Sequence, residues 1–222
     1  AGGHMFPESF YDSLHLPDIT CDKLVPAKGL EGERAAVRVI RVQDGCTQTS
    51  EVHREMKVKD GCLQWEESGC MLAAVFERHG KNGNIGYGFV TGDCIRKGAA
   101  ATTYFHDHHN LLVIGSNVED MLAAAHRIIE LKGGICTAEN GKITAELALP
   151  VAGILSEEPA DEIGRMLSGV RKSLITLGYR HYNPIMSLCT LGLPVSPALK
   201  LTDCGLVDVV RAETVPLILT TV

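Results

Sequence analysis

Two short, wholly apolar runs constrain the fold most: Met71-Leu72-Ala73-Ala74-Val75-Phe76 and Leu111-Leu112-Val113-Ile114-Gly115. Each is too short for a buried helix and has no polar alternation, so each reads as a strand covered on both faces. A sheet with two covered faces needs helices or a second sheet above and below it. Both runs border unusually polar segments. The first delivers Glu77, Arg78 and His79, followed by the glycine-rich stretch Gly83-Asn84-Ile85-Gly86-Tyr87-Gly88. The second is preceded by His106-Asp107-His108-His109-Asn110. Imidazoles, carboxylates and amides at strand ends are the usual raw material of a site.

The remaining punctuation gives a layered domain. Strand-like segments from Glu33 end at Asp44-Gly45 and at Asp60-Gly61. Asn117 is placed to cap a helix with Glu119 and Asp120 in its first turn, and Met121, Leu122, Ala125, Ile128 and Ile129 keep helical spacing until Gly133-Gly134. A hairpin is expected around Asn140-Gly141. A second helix is expected from about Ser156, with Glu157 and Glu158 as first-turn acids, running to Gly178. Leu188 to Val207 shows no clear period. The expected class is α/β (α+β), a mixed β-sheet with packed helices. At 222 residues the chain is short of the roughly 250 that a TIM barrel takes. Residues 1–5 read as a tag remnant, so His4 is set aside, and residues 6–32, with Pro7, Pro17 and Pro26, read as an arm or linker. The domain proper is assigned to residues 33–222.

Composition excludes some classes of function. A net charge of −6 without a basic run, and 5% aromatic residues, argue against a nucleic-acid surface. No apolar run approaches the roughly 20 residues that span a bilayer, and no secretory signal opens the sequence. Eight cysteines without a C-x-x-C pair fit scattered thiols in reducing cytoplasm better than a zinc ribbon or a disulfide framework.

His106-x-His108 is the spacing with which a strand sends two imidazoles to one face, as metal hydrolases do. No further arrangement of His and Asp at later strand ends completes such a site, and a hydrogen-bonded polar cluster is the better reading. The glycine stretch lacks a following Lys-Ser/Thr and a helix to receive phosphate, and reads as a tight turn with close backbone packing. Cys189 and Cys204 read as buried thiols, and Asp203 as a turn residue.

Taken together, the motifs resemble one family. Glu77-Arg78-His79-Gly80 with Gly83-Asn84-Ile85-Gly86, then Lys97-Gly98-Ala99, His106-Asp107-x-His109-Asn110 and Gly115-x-Asn117-x-Glu119-Asp120-Met121 run in the order of the adenine deaminase C-terminal region. Leu149-Pro150-Val151-Ala152-Gly153, Ser156-x-Glu158-Pro159, Asn183-Pro184-x-Met186 and Leu199-Lys200-Leu201-Thr202-Asp203-x-Gly205-Leu206-Val207-Asp208 continue the match. Phe105 and His108 depart from it, where the family has small residues. The resemblance implies the C-terminal domain or subunit of a hydrolase of purine salvage that converts adenine and water to hypoxanthine and ammonia. It also implies a partner, an amidohydrolase barrel holding two divalent ions (Mn or Fe) that this chain does not supply. No catalytic residue and no metal ligand is therefore assigned here, and the chain alone is expected to be inactive. The expected pocket or supporting residues are His106, Asp107, His109 and Asn110, with Glu77, His79 and Asn84. The expected partners are the barrel, adenine or a related purine, and further copies in a homo-oligomer, with no nucleic acid and no membrane. The alternatives are a stand-alone module that binds a purine without turning it over, and a structural oligomerisation domain.

Overall fold

A computed structural model describes residues 5–222; the tag expectation falls mainly on residues 1–4, His4 included, which lie outside the described residues. The strands are β1 Arg34–Val42, β2 Thr49–Lys59, β3 Cys62–Leu63, β4 Met71–Phe76, β5 Ile85–Gly92, β6 Ala99–Thr102, β7 Leu111–Gly115, β8 Gly134–Glu139 and β9 Lys142–Ala148, followed by β10 Leu199–Thr202, β11 Gly205–Asp208, β12 Glu213–Val215 and β13 Ile218–Thr221. The helices are α1 Val118–Glu130, α2 Ala160–Thr176 and α3 Pro184–Cys189.

Ten strands form one sheet, nine in the order β3-β2-β1-β5-β4-β7-β6-β8-β9 and the tenth, β13, off that path. One edge of β1 is shared: Ala35–Val37 pairs with β13, and Val39–Val42 pairs in parallel with β5. The other named pairings are antiparallel, so the sheet is mixed, as the sequence implies. A three-stranded sheet, β10-β11-β12, packs beside it. The described strands close into no barrel.

The pleat explains the two apolar runs. Met71, Ala73 and Val75 point into one core, and Leu72, Ala74 and Phe76 into the other. β7 divides likewise, Leu112 and Ile114 against Leu111 and Val113. One face is covered by Met121, Ala124, Ala125 and Ile128 of α1, together with Ile19, Leu24 and Trp65. The other is covered by Val170 and Leu174 of α2, Leu188 of α3, and Leu199, Leu201 and Leu206 of the small sheet.

Asn117 caps α1 by accepting the Asp120 N–H at 2.8 Å. Asn140 and Gly141 both take positive φ in the β8–β9 turn, the geometry an Asn-Gly pair favours. α2 begins at Ala160, four residues later than its apolar pattern suggests. Pro159 is the N-cap residue, with an extended ψ of 146°, so Glu157 and Glu158 precede the helix, and Asp161 and Glu162 supply its first-turn acids. Glycine hides β5 from the sequence, because Gly86 and Gly88 lower its strand signal. Residues 11–24 lie along the large sheet, tied by His15 N–H to Arg78 O (2.8 Å), Tyr87 Oη–H to Lys23 O (2.8 Å) and a bond between His126 Nε2 and Ile19 O (2.8 Å).

Candidate functional site

Sheet register gathers the polar segments. Phe76 lies opposite both Ile85 and Leu111, and Thr102 opposite Leu112, so residues 77, 84, 103 and 110 emerge at one end of the sheet. The β10–β11 turn, Asp203-Cys204, reaches the same end because Gly86 lets it close. A Cβ on Gly86 would overlap the Thr202 carbonyl oxygen and stand 2.7 Å from the Gly205 nitrogen.

Glu77 organises the first loop from beneath. It is 4% exposed, and its carboxylate accepts N–H groups from His79 (2.6 Å), Lys81 (2.9 Å), Asn82 (3.2 Å) and Gly83 (3.3 Å). Burial pushes this carboxyl up, but the four donors outweigh it and hold it below the ordinary glutamate value. Arg78 is the matching staple. Its guanidinium donates to Ser13 O (2.7 Å), Ala152 O (2.9 Å) and His109 O, joining residues 6–32, the 151–153 turn and the histidine loop. Asn110 completes the frame, accepting Arg78 N–H at 3.2 Å and donating to Asp203 Oδ1 at 3.0 Å.

The histidines stand on this frame. His106 packs edge-on against Tyr104 (4.8 Å between centroids) and His109 (5.6 Å), with its Nδ1 3.8 Å from the exposed carboxylate of Asp107. His109 also packs on Tyr104 at 5.9 Å. His108 turns elsewhere: its ring stands on Phe105, and its Nδ1 accepts Asn110 N–H at 3.2 Å. The two family departures, Phe105 and His108, thus pack on each other. His106 and His108 face different partners and form no ligand pair. His79 is exposed and bonds His108 O at 3.1 Å. Asn84 lies farther along the rim, where its amide meets Cys204 Sγ at 3.9 Å.

Among the described residues no three His, Cys, Asp or Glu side chains gather as a metal-holding group. Cys189 is buried, as expected of an inert thiol, and burial pushes it up; Cys204 is exposed at the rim, contrary to expectation, because the β10–β11 turn projects it outward. Sequence reasoning missed Tyr104, which holds His106 and His109 together, and gave Arg78 no role. It also missed Lys200, an amine 1% exposed that donates to Thr47 O and Thr190 O and that burial pulls down to about 8. Only the apolar neighbours of Lys200 in sequence signal its burial.

Burial lowers the pKa of His108, His109 and His181, with the charges of His106 and Arg78 adding to the effect at His109. Neutral imidazoles are thus favoured in the folded state. Below about pH 6.5 the unfolded chain takes up protons that the folded one refuses, so stability is full above that pH and falls below it. The melting temperature should therefore drop between about pH 7.5 and about pH 5.5. His181→Phe keeps the packing on Tyr179 and removes a buried Nε2 that has no partner among the described residues, so it should flatten part of that slope. An unchanged slope would place the titration elsewhere.

Fold and rim define a layered α/β domain with no barrel, bearing a polar surface at one end of its main sheet. Residues 47–213 match the family described as the adenine deaminase C-terminal domain. Adenine deaminase 2 of Shouchella clausii is 47% identical over 212 residues, covering 96% of this chain and 37% of that protein. Adenine deaminase of Clostridium perfringens is 46% identical over 209 residues, 94% of this chain and 37% of its own length. Adenine deaminase 1 of Rhizobium etli is 50% identical over 136 residues, 61% of this chain and 24% of its own. The chain belongs to the adenine deaminase C-terminal domain family, and it spans a little over a third of the first two relatives.

Proposed function

We propose that this domain covers the purine pocket of an adenine-deaminating amidohydrolase, presenting the histidine rim to the substrate. The observation that carries the reading is the family match, whose span of residues 47–213 takes in both rim loops. The reaction is hydrolysis of adenine to hypoxanthine and ammonia, a step of purine salvage. Two divalent ions (Mn or Fe) held by a barrel outside this chain would supply the activated water. Among the described residues no side-chain group fits such ions, and no step is assigned to a metal within this domain.

This chain's own contribution is positioning and closure. His106 and His109 offer ring nitrogens to the purine edge, and Asp107 favours one tautomer of His106. His79 and Asn84 extend the polar rim, while Glu77 and Asn110 hold both loops at fixed height. Closing the mouth excludes bulk water and orients the ring, and misplacement of a bound substrate by about 1 Å costs on the order of 10²-fold in rate. We place the whole protein in the cytoplasm, as a homo-oligomer. Eight free thiols accord with a reducing compartment.

The test uses a full-length relative in which the equivalents of His106 and Asp107 are both changed to alanine. kcat/KM for adenine should fall about 10²-fold while metal content and melting temperature hold. Undiminished turnover would sink the proposal.

A further inference from the structure

Beyond the rim, a groove of about 570 Å³ runs between α2, α3 and the β8–β9 edge of the large sheet. Its walls are mainly apolar, and Leu167 and Met186 remain 38% and 42% exposed beside it. A second hollow of about 250 Å³ lies beside it and shares Tyr182, Asn183 and Met186 as lining. The buried Nε2 of His181, which borders that hollow, has no partner among the described residues.

Three observations say what kind of occupant fits. First, α2 carries Gly164 and Gly169 in its interior, although glycine is a poor helix former. A Cβ on either would meet no atom within 4 Å, so nothing inside the domain requires the missing side chain. Gly164 lines the groove with Ser168, one turn along the same face. Such a pair admits another backbone at close range. Second, the Arg171 guanidinium borders the groove, stacked over Tyr182 at 5.9 Å and donating to Tyr182 O at 2.7 Å, with no carboxylate in ion-pair reach among the described residues. Third, Tyr104 lines the groove and also packs on His106 and His109, so an occupant would touch the support of the rim.

The relatives carry nearly two thirds of their length outside the matched region. We propose that the groove receives an apolar segment of that remaining portion. Its backbone passes over Gly164 and Ser168, and a carboxylate on it meets Arg171. This names the partner at the rim and so rests on the function proposed above.

The experiment is hydrogen exchange of the α2 and α3 amides in a full-length relative and in this chain alone. Exchange should be at least about tenfold slower in the full-length protein. Leucine at the Gly164 equivalent should return it to the fast rate, whereas Gly164→Leu in this chain should leave the melting temperature unchanged or raised. Equal exchange in the two proteins would overturn the proposal. So would protection in this chain alone that grows with its concentration, which would mean a second copy occupies the groove, or a drop in melting temperature on Gly164→Leu. Slow exchange with rim variants that keep full turnover would instead fault only the rim reading.

Discussion

Arg78→Ala is expected to destabilise the isolated domain by about 3–5 kcal/mol, among the largest losses a single substitution can produce. Arg78 is 3% exposed and its guanidinium meets no carboxylate in ion-pair reach among the described residues; its charge is solvated by the carbonyls of Ser13, His109 and Ala152. Its removal leaves three carbonyls from three separate segments short of a donor, each at a cost of about 1–3 kcal/mol. For a chain of this size the melting temperature should drop by roughly 10 °C. Arg78→Lys should recover only part, because a single ammonium cannot reach three carbonyls that a planar fork spans. Urea unfolding at pH 7 checks both variants. A loss below about 1 kcal/mol for the alanine variant would mean the three segments are held without Arg78.

Gly86→Ala should be nearly as costly, for a steric reason. The added Cβ falls on the Thr202 carbonyl and within 2.7 Å of the Gly205 nitrogen, and both are backbone, so no side chain can swing aside. Either β5 or the β10–β11 turn must move, at about 3 kcal/mol or more. Gly164→Ala is the control: in a helix with open space around it, the same methyl should raise stability by up to about 1 kcal/mol. Unfolding curves for the pair separate close packing from a general intolerance of glycine loss. Equal, small effects would show that the turn does not rest on β5 as described.

How far the sequence carries the fold depends on how local each signal is. Asn117 with Asp120, Asn140-Gly141 and the runs at Met71 and Leu111 declare themselves, because cap, turn and two-sided burial each leave a pattern within a few residues. β5 does not, since Gly86 and Gly88 serve a contact with residues 202–206 more than a hundred positions away. Residues 184–208 are equally silent. A six-residue helix and a four-residue strand complete no period, and their burial comes from the layer above the sheet.

The site divides along the same line. The rim residues His106, Asp107 and His109 stand out by density. Glu77 and Asn110 stand out equally, yet their hydrogen bonds are spent on backbone and on Asp203, which makes them the frame under the rim. That distinction needs bond partners, which no spacing supplies. Tyr104 and Arg78 act through contacts spread over many loops and leave no motif of their own.

The central claim, that the histidine rim faces the purine, is tested most directly by residue-resolved carbethoxylation of histidines in a full-length relative, with and without hypoxanthine. The His106 side chain is 21% exposed here and that of His53, on β2, is 57% exposed. The account predicts that hypoxanthine protects the His106 equivalent and leaves a histidine at the position of His53 reactive. Equal modification of the His106 equivalent with and without hypoxanthine would contradict it.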